Sequence, residues 1–596
     1  MKILLIEPNV QTSNYVSQRD YRDNGELESP WAGYLAAVIG RRHDIKFINC
    51  SFPPTDSSGY FSIKRKKSIT DIEILNNFRK FSPSVVAFTS YEKSFERVVK
   101  LAKKFKRTNP ACKIVLGGHY PTFTYTQLLD GTWCDIVVVG EGFITIKELV
   151  SCINAGKSFD EVKGIAYLEN NRIVYTGRRE PLKDLDVLPF PDRQIYPKCK
   201  ELTDSSILII SSMGCPWGKC TFCSIGAFYN GRHYATRSAK NILDEIESVA
   251  RVREVKSVHF VTEGALYQLK SIINEKVKRG LNFKFTLEAR IDEILRFKDS
   301  ISYAKKNGLD GFLIGIEVFS DRILKIFNKG LTCDKIISAL DYLDDLRIPK
   351  LLAFIPFSPW ITREEFLYNL RMMLNCAVWK DPRLYYIPLN EIFQEVEFYA
   401  GTELRKQYGR SLDYENADLK KALDRMTHIR SINKRVGDAD TGSVRLKWIS
   451  LARYVAGSIR AKSKYHGKGI PGIGLNAQYI TINKEDTPCL INKDRTIYRL
   501  NGKELRAMRE LKQKSPNLYE EIGMVILPSK SYLVDVMRKR AAPITKEQLV
   551  FAQYSLMGLT EGEIRKQFEY EKLRYAPGNI KRYLNIKRDS LYRREV

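Results

Sequence analysis

Short apolar runs and amphipathic stretches alternate along the first quarter of the chain. KILLI (2–6), DIKFIN (44–49), SVVAFT (84–89), KIVL (113–116) and DIVVV (135–139) are segments rich in Val and Ile, and between them 31–41, 71–80 and 95–105 carry apolar residues at helical spacing. A strand that is apolar along its whole length is buried on both faces, and strands separated by helices predict a parallel sheet covered on both sides. The pattern therefore predicts a doubly wound, Rossmann-like α/β domain over 1–155, with ligands bound beyond the carboxyl ends of its strands. Thr89 and Ser90 follow the third strand, Gly117, Gly118 and His119 of GGHYP follow the fourth, and Glu141 and Gly142 of GEG follow the fifth. Glycines there let backbone approach a large ligand, and helix N-termini behind them suit anionic or amide groups.

Residues 156–200 predict a linker with a small hairpin (KGIAYLENNRIVY), followed by LPFPD, whose prolines break regular structure. A second alternation then begins, with strands at 207–212, 257–261, 284–287, 311–316, 350–355 and 384–389 and helices at 239–252, 322–327, 334–346 and 363–374. Six successive β/α units predict a TIM-type barrel or partial barrel over 201–405, with its site at the strand C-termini. The pattern over 406–596 reads as mainly helical, with one strand–helix unit at TIYRLNGKELRAMREL (496–511).

A length of 596 residues with 44% apolar content suits two to four domains. The opening MKILLIEPNV is far too short an apolar run for a signal peptide or spanning helix, so a cytoplasmic protein without membrane insertion is expected. The net charge of +28 is uneven: 441–596 holds 31 Lys/Arg against 15 Asp/Glu. Such a field attracts phosphates, anionic peptides or a membrane surface, and it is also what a solvated basic face looks like.

Of eleven cysteines, eight are isolated and read as reduced thiols, while Cys215, Cys220 and Cys223 cluster in MGCPWGKCTFCS directly after the first barrel strand. Structural zinc wants four protein ligands, and His233 could complete a Cys3His set. Iron–sulfur clusters are also held by thiolates, normally four. A cluster given three keeps one iron open, where a substrate can ligate.

With this triad come SVHFVTEGA, TLEARID, GFLIGIEVFSD and ILKIFNKGLT in order, and the chain resembles the radical S-adenosylmethionine (radical SAM) enzymes. VVAFTS, KIVLGGHYPT, DIVVVGEGFITIKEL and LDVLPFPDR are similar to the cobalamin (B12)-binding subfamily, and the likeness covers about 1–405. One departure is the first cysteine spacing, with four residues (Pro216, Trp217, Gly218, Lys219) where three are common. The resemblance implies that Cys215, Cys220 and Cys223 ligate a 4Fe-4S cluster whose fourth iron chelates S-adenosylmethionine (SAM). It further implies Phe222 against the adenine, Arg290 at the SAM carboxylate, Glu317 near the nucleoside end, and Glu263 at an acidic pair whose first member is here Thr262. Cobalamin would lie over Thr89, Ser90, Gly117, Gly118, His119, Glu141 and Gly142. The Asp-x-His-x-x-Gly motif for a cobalt-ligating histidine is missing, since His119 follows two glycines.

The implied function is reductive cleavage of SAM to a 5′-deoxyadenosyl radical and cobalamin-dependent methylation of an unactivated carbon or phosphorus centre in a peptide or small metabolite. Radical rearrangement, cyclisation or oxidation without methyl transfer is the alternative within the class. A non-enzymatic nucleic-acid-binding protein with a structural metal site is the alternative outside it. The expected partners are the substrate and a flavodoxin- or ferredoxin-type reductant. In the basic tail, 496–511 suggests a winged-helix-like peptide holder, LTEGEIRKQF (559–568) half of a helix-turn-helix, and 581–594 a basic helix for nucleic acid.

Overall fold

The computed structural model describes residues 1–8, 28–51, 60–61, 68–199, 205–376, 384–387, 394–417, 419–421 and 423. In the tail it describes 479–482, 488–491, 497–499, 522–526, 531–535, 540–557, 559 and 561–575. The chain forms two compact units, one of 1–311, 326–329 and 397–412, the other of 312–325, 330–396 and 413–596.

In the first unit, strands β1 (Lys2–Glu7), β2 (Asp44–Asn49), β3 (Val85–Thr89), β4 (Lys113–Gly117) and β5 (Ile136–Val138) pair in parallel in the order β2-β1-β3-β4-β5. The helices between them are α1 (Pro30–Ile39), α2 (Asp71–Phe81), α3 (Phe95–Thr108), α4 (His119–Leu128) and, after β5, α5 (Phe143–Ala155). Successive side chains of β1 feed opposite cores. Ile3 and Leu5 pack with Ala32 and Tyr34 of α1 and Leu149 of α5, whereas Leu4 and Ile6 pack with Phe78 of α2 and Leu101 and Phe105 of α3. This is the double winding that the uninterrupted apolar runs predict, with the reversal of strand order between β1 and β3 marking the ligand crevice. The predicted hairpin forms β6 (Ile165–Glu169) and β7 (Arg172–Tyr175), turning at Asn170 and Asn171, both at positive φ. It adds antiparallel to β5, so part of the expected linker is the edge of the first sheet.

Beyond the linker, β8 (Ser206–Ile209), β11 (Ser257–Phe260) and β12 (Lys284–Ala289) pair in parallel. Between β8 and β11, β9 (Ser212–Cys215) and β10 (His233–Thr236) form a separate antiparallel pair that joins Cys215 to His233. The apolar run expected as one strand over 207–212 thus stops at Ile209, and a second strand carries the first cysteine. Helices α6 (Ser224–Phe228), α7 (Ala239–Ala250), α8 (Leu269–Lys278), α9 (Ile291–Arg296) and α10 (Lys298–Lys306) complete this part.

The second unit takes β13 (Leu309–Glu317) from Phe312 onward and pairs it in parallel with β14 (Lys350–Phe354), which pairs with β15 (Tyr385–Tyr386). Helices α11 (Asp321–Ile326), α12 (Cys333–Asp345) and α13 (Arg363–Leu374) follow the same alternation. Each unit thus holds three parallel strands of the β/α alternation, and the fold is a doubly wound domain followed by a partial barrel. A further helix, α14 (Glu403–Tyr408), belongs to the first unit.

The tail differs from the mainly helical expectation. Its described residues include two three-stranded antiparallel sheets: β16 (Tyr479–Ile482), β17 (Pro488–Ile491) and β18 (Ile497–Arg499), then β19 (Ile522–Ile526), β20 (Ser531–Asp535) and β21 (Arg540–Ile544). YITI, CLI, IGMVI and SYLV are short and rich in β-branched and aromatic residues, a strand signal diluted by the charged residues between them. β18 is the strand expected in 496–511. The helix expected after it and the basic segment 581–594 lie outside the described residues. LTEGEIRKQF forms α16 (Glu561–Tyr570), which follows α15 (Lys546–Leu556). Its Ile564, Gln567 and Phe568 are buried, and Arg371 of α13 donates to Gln553 (2.8 Å) and Glu571 (2.6 Å). The helix pair is thus packed on the barrel's outer helix within its own unit.

Candidate functional site

The three cysteines hang on the loop between β9 and β10, in the first unit. Cys215 ends β9, Cys223 precedes α6, and the Cys223 amide donates to the Cys220 carbonyl (3.2 Å). Three tethers fix the loop: the Thr221 amide donates to Phe327 O (3.0 Å), the Thr221 hydroxyl to Ile326 O (2.9 Å), and the Trp217 indole to Asn328 O (2.8 Å). Gly218 absorbs the extra residue of the first spacing at φ +63°. A Cβ there would lie 2.7 Å from Arg232 Cα and 2.8 Å from Gly231 O. Both neighbours are backbone, so Gly218→Ala should cost about 1–3 kcal/mol in left-handed strain alone, before the overlap. The expected outcome is a lower midpoint in urea unfolding and fewer irons retained per chain; an unchanged iron count would show that the loop closes without this turn.

Burial pushes the Cys223 thiol up to about 12, helped by Cys220, Glu263 and Cys215 and opposed by the Ile225 amide. A thiol in this setting ionises only against a metal's charge. Among the described residues no three His, Cys, Asp or Glu side chains converge on one ion position, as the Cys3His zinc reading requires. His233 instead stacks on Tyr229 at 4.6 Å with its buried Nε2 unpartnered. Three thiols carried by one short loop suit a cuboidal cluster, each taking one iron.

Arg290, which caps α9, reaches this loop. Its Nη1 points at Cys220 Sγ (3.9 Å), its Nη2 donates to Lys329 O (2.8 Å), its Nε donates to Asp292 (2.9 Å), and its guanidinium covers the Trp217 ring. Burial works against its charge, and Asp292 and the Cys220 thiol outweigh burial, so its pKa is raised. Burial raises the Glu263 carboxyl, with Lys329 pulling it back. Thr262, in the position of the missing acid, shares a hydrogen bond with Ser211 (2.9 Å). Phe222 packs against Phe327, ring centroids 5.0 Å apart. Glu317 belongs to the second unit, where it ends β13 with φ +65°.

The residues expected around cobalamin gather at the strand ends of the first sheet. Ser90 N donates to Gly117 O (2.8 Å), and a Cβ on Gly118 (φ +103°) would meet Ser90 O at 3.0 Å, so only glycine closes this turn. His119 begins α4, stacked between Tyr91 and Phe228, its Nδ1 buried without a partner and its pKa pushed down to about 4 by burial. Glu141 accepts from Leu182 N (2.7 Å) while its Oε1 is buried and unpartnered, and burial raises its pKa. Gly142 caps α5. A tight glycine turn and two orphaned buried polar atoms at the strand ends fit a large ligand rich in amide groups. Tyr229, beside Glu141, and Glu293, beside Arg290, escaped the sequence reading, because no spacing ties them to their neighbours, while His233, read there as a zinc ligand, stands beside Glu141 instead.

The family model of the B12 binding domain matches residues 23–150, and that of the Radical SAM superfamily matches 209–373. The chain is 27% identical over 373 residues to "Uncharacterized methyltransferase PH0819" of Pyrococcus horikoshii, covering 61% of this chain and 76% of that one. It is 26% identical over 421 residues to the anaerobic magnesium-protoporphyrin IX monomethyl ester cyclase of Rubrivivax gelatinosus, covering 66% and 70%. In fold it is similar to the cobalamin-dependent SAM radical enzyme OxsB, solved with aqua-cobalamin and SAM, at a TM-score of 0.55 and 15% identity over 77% of this chain and 71% of that one. With both domain models matched in succession and the thiol loop and glycine-lined strand ends in place, the chain belongs to the B12-binding radical SAM family of enzymes, whose cofactors are a 4Fe-4S cluster, SAM and cobalamin.

Proposed function

We propose that this chain is a cobalamin-dependent methyltransferase acting on an unactivated carbon or phosphorus centre of a small molecule or peptide. The observation that carries this reading is the packing of α6, which leaves the cluster loop directly after Cys223 and lays Phe228 on His119, ring centroids 4.5 Å apart. The thiol loop and the cobalamin strand ends are thus neighbours within one unit, as a reaction using both cofactors requires.

In this reading Cys215, Cys220 and Cys223 would hold three irons and leave the fourth for the amino and carboxylate groups of SAM. Arg290, Phe222 and Glu263 would hold the rest of SAM, and Thr89, Ser90, Gly117, Gly118, His119, Glu141 and Gly142 would hold cobalamin. When bound, these groups supply a carbon-centred radical and a transferable methyl group, while the protein orients them and keeps water out. His119, uncharged at neutral pH, offers the corrin a neutral imidazole edge. Glu141 Oε1 would accept from an amide side chain of the bound cofactor. A flavodoxin- or ferredoxin-type protein of the cytoplasm supplies the electron.

The test is anaerobic reconstitution of the full chain with iron, sulfide and hydroxocobalamin, followed by SAM, reductant and candidate substrate. About four irons per chain, formation of 5′-deoxyadenosine and a product heavier by one methyl group are expected. The likeness to a cyclase favours a second reading, oxidative ring closure, which predicts product with no added methyl. One zinc per chain and no visible absorbance would remove the enzyme reading in favour of a structural metal site.

A further inference from the structure

The thiol loop is covered on several sides. Pro216 packs at Gly264, where a Cβ would lie 2.7 Å from the proline Cγ, and Thr221 is tied to the carbonyls of Ile326 and Phe327. Beyond Cys223, α6 lays Phe228 on His119. The part that faces outward is the turn from Trp217 to Lys219 together with Asn230 to Arg232: Lys219, Asn230 and Arg232 are exposed, and Trp217 is half-buried. The left-handed turn at Gly218 holds these two stretches against each other, since a Cβ there would lie 2.7 Å from Arg232 Cα, so Lys219 and Arg232 leave the backbone at neighbouring points. Lys219 Nζ lies over the Trp217 ring, 5.5 Å from its centroid. Among the described residues neither cation is paired with an acid, whereas Arg290, on the same indole from further in, has Asp292 at 2.9 Å. A lone surface lysine is ordinarily a solvated charge and nothing more. Two unpaired cations framing an aromatic ring on the open face of a redox loop are a complementary surface for something acidic.

We propose that this face, Lys219 and Arg232 around Trp217, docks the electron donor, and that the donor is a small acidic protein of flavodoxin type. The inference rests on the radical SAM reading, which requires an electron and leaves its point of entry unassigned. Electron transfer weakens steeply with distance, so a carrier must come up to the outer side of the thiol loop. A flavin presents a flat apolar edge that suits an indole, and acidic residues around such an edge suit two cations that have no partner of their own. Charge pairing of this kind acts on encounter, raising association rates about 10- to 10^3-fold at low salt. The reduced flavin gives one electron to the cluster and is itself oxidised by one step, and no group is transferred.

The experiment compares two reductants on the anaerobically reconstituted full chain, wild type against Lys219→Glu/Arg232→Glu, at matched iron content. One is a reduced flavodoxin at low ionic strength, the other excess dithionite, which needs no docking surface, and the readout is 5′-deoxyadenosine formed from SAM. With flavodoxin the variant should be slower by about 10-fold or more, and the deficit should shrink as salt is raised to about 0.5 M, because exposed charges are then screened. With dithionite the two proteins should match. Equal rates with flavodoxin would overturn the proposal, as would a parallel fall with dithionite, which would give these cations to the cluster itself. Charge-dependent reduction by a ferredoxin and none by flavodoxin would overturn it too, by naming a different donor. If the charge reversal lowers iron uptake, Lys219→Gln/Arg232→Gln decides, since neutral side chains should show the same loss confined to flavodoxin. A wild-type chain that cleaves no SAM even with dithionite would refute the radical SAM reading itself, an outcome distinct from failure of this face.

Discussion

Replacing Cys220 with alanine in the full chain is expected to abolish reductive cleavage of SAM while the protein still folds. The thiol is half-buried and aimed at the Arg290 guanidinium, and the loop around it is held by Thr221, Trp217 and Gly218 rather than by the sulfur. Loss of one of three ligands leaves an iron without its anchor, so the reconstituted variant should hold well under the about four irons of the parent. Formation of 5′-deoxyadenosine should fall about 10^3-fold or more, because the cofactor carries the difficult step and no side chain substitutes for it. Cys215→Ala and Cys223→Ala should behave alike. Cys112→Ala is the control: Cys112 is fully buried between the first sheet and its helices, and its loss should lower stability without changing the iron count. If Cys220→Ala retains the parent's SAM cleavage, the site is not a cluster held by this loop.

Much of this architecture is legible in the residues, and the reasons differ along the chain. The strands at 2–6 and 113–116 stand in the structure within a residue or so, because a strand buried on both faces writes a nearly continuous apolar run. Helix α13 begins and ends where its pattern does, at Arg363 and Leu374, since Thr362 caps it with Glu365 in a reciprocal capping box. The cysteine triad is legible because ligands from one loop must be close in sequence. What the sequence hides are contacts made by distant segments: the β9–β10 pairing that sets Cys215 against His233 and the stacking of Phe228 on His119. Neither has a fixed offset along the chain. The tail strands are hidden for another reason, being three to five residues long and separated by charged stretches that give no period to read.

The same kind of distant contact sets the second large expectation, in the ion network that ties the first domain to the barrel within the first unit. Glu245 of α7 is 1% exposed and accepts from Arg193 Nη2 (2.6 Å), from Arg237 Nη1 and from the Tyr34 hydroxyl (3.4 Å). Arg193 comes from the linker and also bonds Glu28 and Leu208 O (2.9 Å), while Tyr34 belongs to α1 of the first domain. Arg253 reaches the same Glu28 from beyond α7. Two carboxylates thus serve three guanidinium groups, and removing Glu245 strands Arg237, which is 3% exposed, and leaves Arg193 half-compensated. Breaking one partner of a buried pair costs about 3–5 kcal/mol, because the remaining charge stays desolvated. Glu245→Ala should therefore shift the urea midpoint by an amount equivalent to that loss. The double variant Glu245→Leu/Arg237→Leu should recover part of it, since a buried pair exchanged for apolar side chains is often near neutral. A single variant costing under about 1 kcal/mol would place these charges in the class of solvated surface pairs and contradict the burial that defines the network. Because none of the five residues touches the thiol loop, the iron count of folded Glu245→Ala should match the parent, separating the anchoring of the two domains from the chemistry they bring together.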